Sequence, residues 1–246
     1  MTDKTSKVAI VTGASRGIGA AITERLAADG FTVIVNYSAN AMPAEALVRA
    51  IEGKGGRALA IKADVSDPNA VRGMFDAAEA AFGGVDVLVN NAGIMKLAKI
   101  ADSDDALFDR QIAVNLKGSF NAMREAGRRL RDGGRIVNFS TSVVGTRLET
   151  YGVYAATKAA IETMTAIMSK EMRGRNITVN AVAPGPTATD LFLSGKSPEL
   201  VERLAKMNPL ERLATPEDIA SVVAFLAGPD GGWINGQVLR ANGGMV

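Results

Sequence analysis

Seven short runs of aliphatic and β-branched residues, at 8–11, 32–36, 58–62, 85–89, 135–139, 177–182 and 237–239, alternate along this chain with longer stretches of helical pattern. No other feature constrains the fold as tightly. Strands that are apolar on both faces must be covered on both faces, and a strand reached through a helix returns parallel to the one before it. The helical patterns lie at 17–29, 44–52, 69–82, 104–131 with a break near Gly118, 154–172 and 216–226. Asp67-Pro68 and Thr215-Pro216-Glu217-Asp218 supply a capping oxygen and a proline at the first helical position, the latter with acids in the first turn. The expected fold is α/β: a doubly wound, seven-stranded parallel sheet with helices on both faces, in one domain over 1–246. Such sheets bind ligands at the carboxyl ends of their strands. The stretch 184–213 has no strand, follows the sixth strand at that end and carries Leu191, Phe192 and Leu193. A segment of that length in a compact domain is usually functional, and it reads as a lid over a substrate.

Two absences narrow the chemistry. The chain has no histidine and no cysteine, so a Ser-His-Asp triad, a thiolate nucleophile, a disulfide and a Cys- or His-based metal site are all excluded. The formal charge is +2 and no Lys/Arg block is long enough to follow nucleic acid. Residues 1–7 are polar and lack the apolar core of a signal peptide, and no apolar run approaches the roughly 18 residues that span a bilayer. A cytoplasmic protein with no nucleic-acid and no membrane partner is expected.

Thr12-Gly13-Ala14-Ser15-Arg16-Gly17-Ile18-Gly19 follows the first strand and opens a helix. Glycines there let backbone amides approach a pyrophosphate, which a helix N-terminus also attracts, so the turn points to a dinucleotide and the fold to the Rossmann type. Asp64-Val65 follows the third strand, where the carboxylate either accepts from an adenine amino group or caps the next turn. Asn90-Asn91-Ala92-Gly93 ends the fourth strand and either passes close to a ribose or forms a structural asparagine turn. Asn115 stands in a helical stretch that it disfavours. It marks either a capped kink or a backbone distortion that binds a water.

Tyr154 and Lys158 are one helical turn apart and share a face, with Ser142 twelve residues upstream. An ammonium there favours phenolate and lowers a phenol pKa that is otherwise about 10, which makes the tyrosine a proton donor and acceptor. Tyr151 has Ala155 four residues on and so no lysine partner.

The order Gly13-x-x-x-Gly17-x-Gly19, Asp64, Asn90-Asn91-Ala92-Gly93, Asn115, Ser142, Tyr154, Lys158, Pro184-Gly185 resembles the short-chain dehydrogenase/reductases over essentially the whole chain. Asn36-Tyr37-Ser38, the run Pro184-Gly185-Pro186-Thr187-Ala188-Thr189-Asp190 and the ending Trp233 to Gly244 look like the group near trihydroxynaphthalene reductases and 3-oxoacyl carrier-protein reductases. The resemblance implies that Tyr154 protonates a carbonyl oxygen as hydride arrives from a nicotinamide, that Ser142 orients that oxygen, that Lys158 lowers the tyrosine pKa and holds the nicotinamide ribose, and that Asn115 holds a relay water. Counting from Arg135 points instead to Thr141 for the orienting hydroxyl, and Ser142 is chosen on the match of Ser142-Val143-Val144-Gly145. The implied cofactor contacts are Gly13, Ser15, Arg16, Gly17, Ile18, Gly19, Asn36, Tyr37, Ser38, Asp64, Val65, Asn91, Ala92, Gly93, Tyr154, Lys158, Pro184, Gly185, Thr187 and Thr189. No metal is implied.

The cofactor expected is NADPH/NADP+ rather than NADH. An acid at the end of the second strand would repel a 2′-phosphate, and this chain has Asn36 there, with Arg16, Tyr37 and Ser38 as phosphate-binding groups. The activity expected is reduction of a small-molecule ketone to a secondary alcohol. The largely apolar Ile94, Met95, Leu148, Val153, Leu191 and Phe192 suit a hydrophobic or aromatic substrate. A 3-oxoacyl-(acyl carrier protein) reductase is the alternative: Arg175 matches one of that group's docking arginines, but Asp132 stands at the other, with Arg131 one position off. A nucleotide-sugar epimerase would need a further substrate domain, and a catalytically silent NADP-binding regulator would not need the full residue set. The resemblance also implies a homotetramer, with Ala155, Ala159, Ile161, Met164, Ile167 and Met168 as candidates for an outer apolar face.

Overall fold

The computed structural model describes residues 6–246. Its first half runs β1 (Val8–Val11), α1 (Gly17–Ala28), β2 (Thr32–Tyr37), α2 (Ala41–Gly53), β3 (Arg57–Lys62), α3 (Pro68–Phe82) and β4 (Val85–Asn90). There follow α4 (Asp105–Gln111), a wide π-type turn (Ile112–Lys117), α5 (Gly118–Arg129), β5 (Leu130–Phe139), α6 (Val143–Thr146), α7 (Gly152–Glu171) and β6 (Thr178–Pro184). The chain closes with α8 (Asp190–Leu193), α9 (Pro198–Ala205), α10 (Pro216–Ala227) and β7 (Val238–Ala241). Of the polar segment 1–7, residues 1–5 lie outside the described residues.

Among the described residues seven strands form one parallel sheet in the order β3-β2-β1-β4-β5-β6-β7. Alternation along each strand decides which helices cover which face. Ala9, Val11, Val33 and Val35 point to a core closed by Ile22 and Leu26 of α1, Leu47 of α2 and Val223 of α10. Val8, Ile10, Ile34, Leu88 and Ile136 point the other way, to Phe75 of α3, Met123 of α5 and Ile161 of α7. Each fully buried side chain of this size contributes about 1.5–3 kcal/mol through removal from water. The order reverses between β1 and β4, which opens a crevice at their carboxyl ends.

Three boundaries differ from expectation for identifiable reasons. The helix expected from 44 starts at Ala41, because Asn40 caps the amide of Met42 and Pro43 sits in the first turn, where no amide is needed. The strand expected from 135 starts at Leu130, and its irregular leading end has a register shift against β4 between Val85 and Val87. That end is held because the buried Arg135 guanidinium donates to the carbonyls of Gly133 and Gly134 at 2.7 and 2.8 Å. The helix does not break at Gly118, whose φ of −61° is helical. Glycine is needed there because a Cβ would stand 2.6 Å from Val65 Cγ2. The irregularity is the π-type turn just before it.

Of the residues offered for an outer face, Ile161 and Met168 are buried and Met164 packs against them in the core. Ile167, 51% exposed, is the one large side chain of that group left in the open. Among the described residues no helix is long and apolar enough to cross a membrane.

Candidate active site

The carboxyl end of β1 turns sharply into α1, with Gly13 at φ 61° and Gly17 at φ 54° in the left-handed region. Gly19 is glycine for a different reason. A Cβ there would lie 2.6 Å from the Asn91 amide nitrogen. The turn is held from both sides. On one, Asn36 accepts from the Gly13 amide at 3.2 Å and donates to the carbonyls of Ala63 and Ile61 at 3.0 and 3.3 Å. On the other, Asn91 donates to the carbonyls of Thr12 and Gly13 at 2.9 and 3.0 Å, while the buried Thr12 hydroxyl accepts from the amides of Asn91 and Ala92.

A cleft at this point is lined by Gly13, Ser15, Arg16, Gly17, Ile18, Gly19, Asn36, Tyr37, Ser38, Asp64, Val65, Asn91, Ala92, Gly93 and Thr189. A second cleft adjoins it and contains Tyr154, Lys158, Pro184, Gly185 and Thr187. The structure therefore brings every expected cofactor residue to one continuous groove, but not with the expected chemistry at each. Asn36 is a buried residue inside β2 with its carboxamide fully engaged, so it is not free to meet a phosphate; the strand ends on Tyr37, and the open groups there are Arg16, Tyr37 and Ser38. One Asp64 oxygen accepts from the amide and hydroxyl of Ser66 at 2.9 and 2.6 Å, which is the turn-capping role. The other faces Arg110 at 3.7 Å, and the Ser66 bonds, with Arg110, hold the carboxyl below its ordinary pKa. Arg110 itself lines the groove and carries no motif by which sequence reading could have found it. Asn90 is likewise structural, donating to Asn138 at 2.9 Å.

In the second cleft α7 presents Tyr154 and Lys158, and the segment just after β5 presents Thr141 and Ser142. The Lys158 ammonium donates to the Phe139 carbonyl at 2.8 Å and lies 5.9 Å from the Tyr154 ring centre. Burial pushes the phenol up to about 12, with the Thr141 hydroxyl opposing that rise, and burial also pushes Lys158 down to about 8. Ser142 is 2% exposed, donates to the Ala183 carbonyl at 3.1 Å and accepts from Asn242 at 3.0 Å. Thr141 accepts from the Val143 amide at 3.3 Å and bonds the Tyr154 phenol. Both hydroxyls line the cleft.

Asn115 lies in the π-type turn, so of the two readings left open the backbone distortion is the one present. Its side chain clamps the loop after β4, accepting from the Ile94 amide at 2.8 Å and donating to the Ile94 carbonyl at 2.9 Å. Gly93 sits opposite, where a Cβ would stand 3.3 Å from the Asn115 oxygen and 3.7 Å from the lysine nitrogen. This narrow passage, the glycine turn and the open Arg16 fit a dinucleotide. Among the described residues no group of three or more His, Cys, Asp or Glu side chains could hold a metal ion.

The substrate end is walled by Met95, Leu148, Tyr151, Leu191, Phe192, Leu204 and Met245. Ile94 lines the dinucleotide groove instead, and Val153 lines neither cleft. Tyr151 is a site residue after all, edge-on to Tyr154 with centroids 6.4 Å apart.

Comparison with known proteins places this arrangement in context. A family model described as enoyl-(acyl carrier protein) reductase matches residues 13–246. A short-chain type dehydrogenase/reductase of Picea abies is 48% identical over 98% of this chain and 92% of its own. An NADPH-dependent aldehyde reductase-like chloroplastic protein of Arabidopsis thaliana is 46% identical over 98% and 94%. The crystal structure of a short-chain dehydrogenase from Burkholderia cenocepacia in complex with NADP superposes with a TM-score of 0.92 at 40% identity, covering 99% of each chain.

Burial of Lys158 has a thermodynamic sign. Its folded pKa of about 8 lies below the ordinary 10.5, so the unfolded chain binds more protons between those values and stability rises with pH across that window. Below pH 8 the full penalty applies, ~3 kcal/mol from the size of the shift. Lys158→Met is therefore expected to raise the ligand-free melting temperature at pH 7, by an amount that fades as pH approaches 10.5. Thermal melts across pH check this, and an unchanged or lower melting temperature at pH 7 contradicts it.

Proposed function

We propose, from the premise that this chain belongs to the short-chain dehydrogenase/reductase family, that it reduces apolar ketones to secondary alcohols with NADPH. The observation that carries the reading is that Tyr154, Lys158 and Ser142 line an apolar cleft that shares Ile18, Asn91 and Gly93 with the glycine-cradled groove. A bound NADPH would supply hydride to the carbonyl carbon. Gly13, Ser15, Gly17 and Ile18 would hold its pyrophosphate through backbone amides at the α1 N-terminus, and Lys158, beside Gly93, would bind the nicotinamide ribose.

Tyr154, with its pKa near 12, keeps its proton throughout the neutral range and donates it to the carbonyl oxygen as negative charge develops there. Ser142, beside Thr141 on the cleft wall, turns its hydroxyl from the Ala183 carbonyl to that oxygen and orients it. The Lys158 ammonium stabilises the phenolate left behind, and the backbone opened at Asn115 holds the water that returns a proton. Residues 184–213 close over the substrate as a lid. The Arabidopsis relative's name and the NADP complex of the Burkholderia protein support NADPH, as do Arg16, Tyr37 and Ser38 at the open end of the groove.

An acyl-carrier-protein substrate fits less well. Arg175, the arginine that would dock an acidic carrier, is engaged with Asp132 at 2.9 Å and with the carbonyls of Gly127 and Leu130. Assembly as a homotetramer in the cytoplasm completes the reading. It is supported by the exposed Phe120, Ile167, Phe225 and Trp233, the last 99% exposed.

Tyr154→Phe is expected to lower kcat by at least about 100-fold while the NADPH dissociation constant stays within a factor of about two, since the ring still packs; retained turnover would sink the proton-donor role. Arg16→Ala should cut the NADPH over NADH preference in kcat/KM by the worth of a charged hydrogen bond, about 1.5–3 kcal/mol. A wild-type preference for NADH overturns the phosphate-site reading, and absence of NADPH oxidation across a ketone panel leaves silent binding as the function. Light scattering at micromolar concentration should give the mass of four chains, and a monomer refutes the assembly.

A further inference from the structure

The segment after β7 folds back toward the end of β5 and is held there by one side chain. Asn242 is buried, and its carboxamide oxygen accepts from the amides of Gly244 and Met245 at 3.0 and 3.2 Å. Its nitrogen donates to the Ser142 hydroxyl at 3.0 Å and to the Val246 carbonyl at 3.4 Å. Every polar capacity of Asn242 is thus directed to closing this turn or tying it to Ser142. Val246 packs on Gly145, where a Cβ would stand 2.9 Å from its Cγ2. The tight turn leaves Met245 one direction in which to project, and it lines the substrate cleft with Thr141, Tyr154 and Leu148.

We infer that Met245 is a specificity-determining wall of the substrate cleft, limiting the bulk of the group beside the reacting carbonyl, and that Asn242 is the residue that positions it. This rests on the proposed ketone reduction. Two features favour a wall over mere packing. Met245 lines the same cleft as Tyr154 and Lys158, and a methionine is flexible and polarisable enough to lie against flat apolar substituents. The Ser142 link also makes the wall rigid relative to the catalytic face. Removing the donor at 242 would free the turn and release the Ser142 hydroxyl, leaving Tyr154 and Lys158 in place.

The test compares acetone with acetonaphthone. Met245→Ala is expected to raise the kcat/KM ratio of acetonaphthone to acetone by about tenfold or more, the scale on which pocket size discriminates, with the NADPH dissociation constant unchanged. Asn242→Ala should shift the same ratio in the same direction, any loss of kcat through Ser142 being common to both ketones. In a Met245→Ala background it should shift the ratio no further, because a positioning residue has nothing left to position. Calorimetry of acetonaphthone on NADP+-loaded protein supplies a readout independent of turnover. If no ketone is reduced yet Met245→Ala tightens acetonaphthone binding, the wall stands and ketone reduction falls. If Met245→Ala changes both ketones alike, or leaves both turnover ratio and binding unmoved, the inference is overturned. Equal shifts by Asn242→Ala in the wild-type and Met245→Ala backgrounds overturn the positioning role.

Discussion

The carboxamide of Asn36 joins the ends of three neighbouring strands at one point, beyond what their backbone pairing does. It takes the amide of Gly13 from the turn after β1, sits within β2 and gives its protons to the carbonyls of Ile61 and Ala63 beside β3. Backbone polar groups at the ends of a parallel sheet are otherwise left for water, and a dinucleotide groove cannot be lined by a loop that wanders. Asn36 fixes one bank, Thr12 and Asn91 fix the other, and the helix N-terminus between them is aimed by both. A carboxylate in place of this amide would lose the donors and bring a buried charge to carbonyl oxygens. Asparagine here secures the cradle, and the absence of an acid near a 2′-phosphate follows from that structural role.

The reacting groups are held in states that ordinary solution chemistry would not choose. The phenol of Tyr154 and the ammonium of Lys158 are both pushed by burial toward their neutral forms. In the proposed reduction this suits the tyrosine, since a proton is present on it at neutral pH. For lysine it is a cost carried by the folded chain, of the kind expected where function and stability compete. The Phe139 carbonyl, the one acceptor given to the ammonium, leaves its other protons directed at the cleft.

Much of this was legible in the residues, because it follows from hydrophobicity and local backbone chemistry. All seven strands are signalled by apolar runs, and the glycine turn announces itself by spacing. The Tyr154 and Lys158 pair is visible as an i, i+4 relation. What was not legible depends on contacts across the chain. No local pattern shows that Gly118 yields to Val65, that Arg135 draws the leading end of β5 into the sheet, or that Asn36 faces inward between two strands. Nor does one show that Ser142 is held by Asn242, a hundred residues beyond it, and Tyr151 lacks a lysine partner yet lines the cleft.

Ile18, Asn91, Gly93, Thr189 and Leu191 line both clefts, and Gly17 approaches Thr189 so closely that a Cβ there would stand 3.4 Å from its methyl. The two adjoining clefts thus share a lining, one side of which belongs to the segment after β6. Any molecule that orders this lining from one side changes what the molecule on the other side encounters. Such coupling is reciprocal by thermodynamic necessity, and where it acts through ordering, the entropy lost to the first arrival need not be lost again to the second. Two binding events written as separate affinities are, in this molecule, one linked equilibrium.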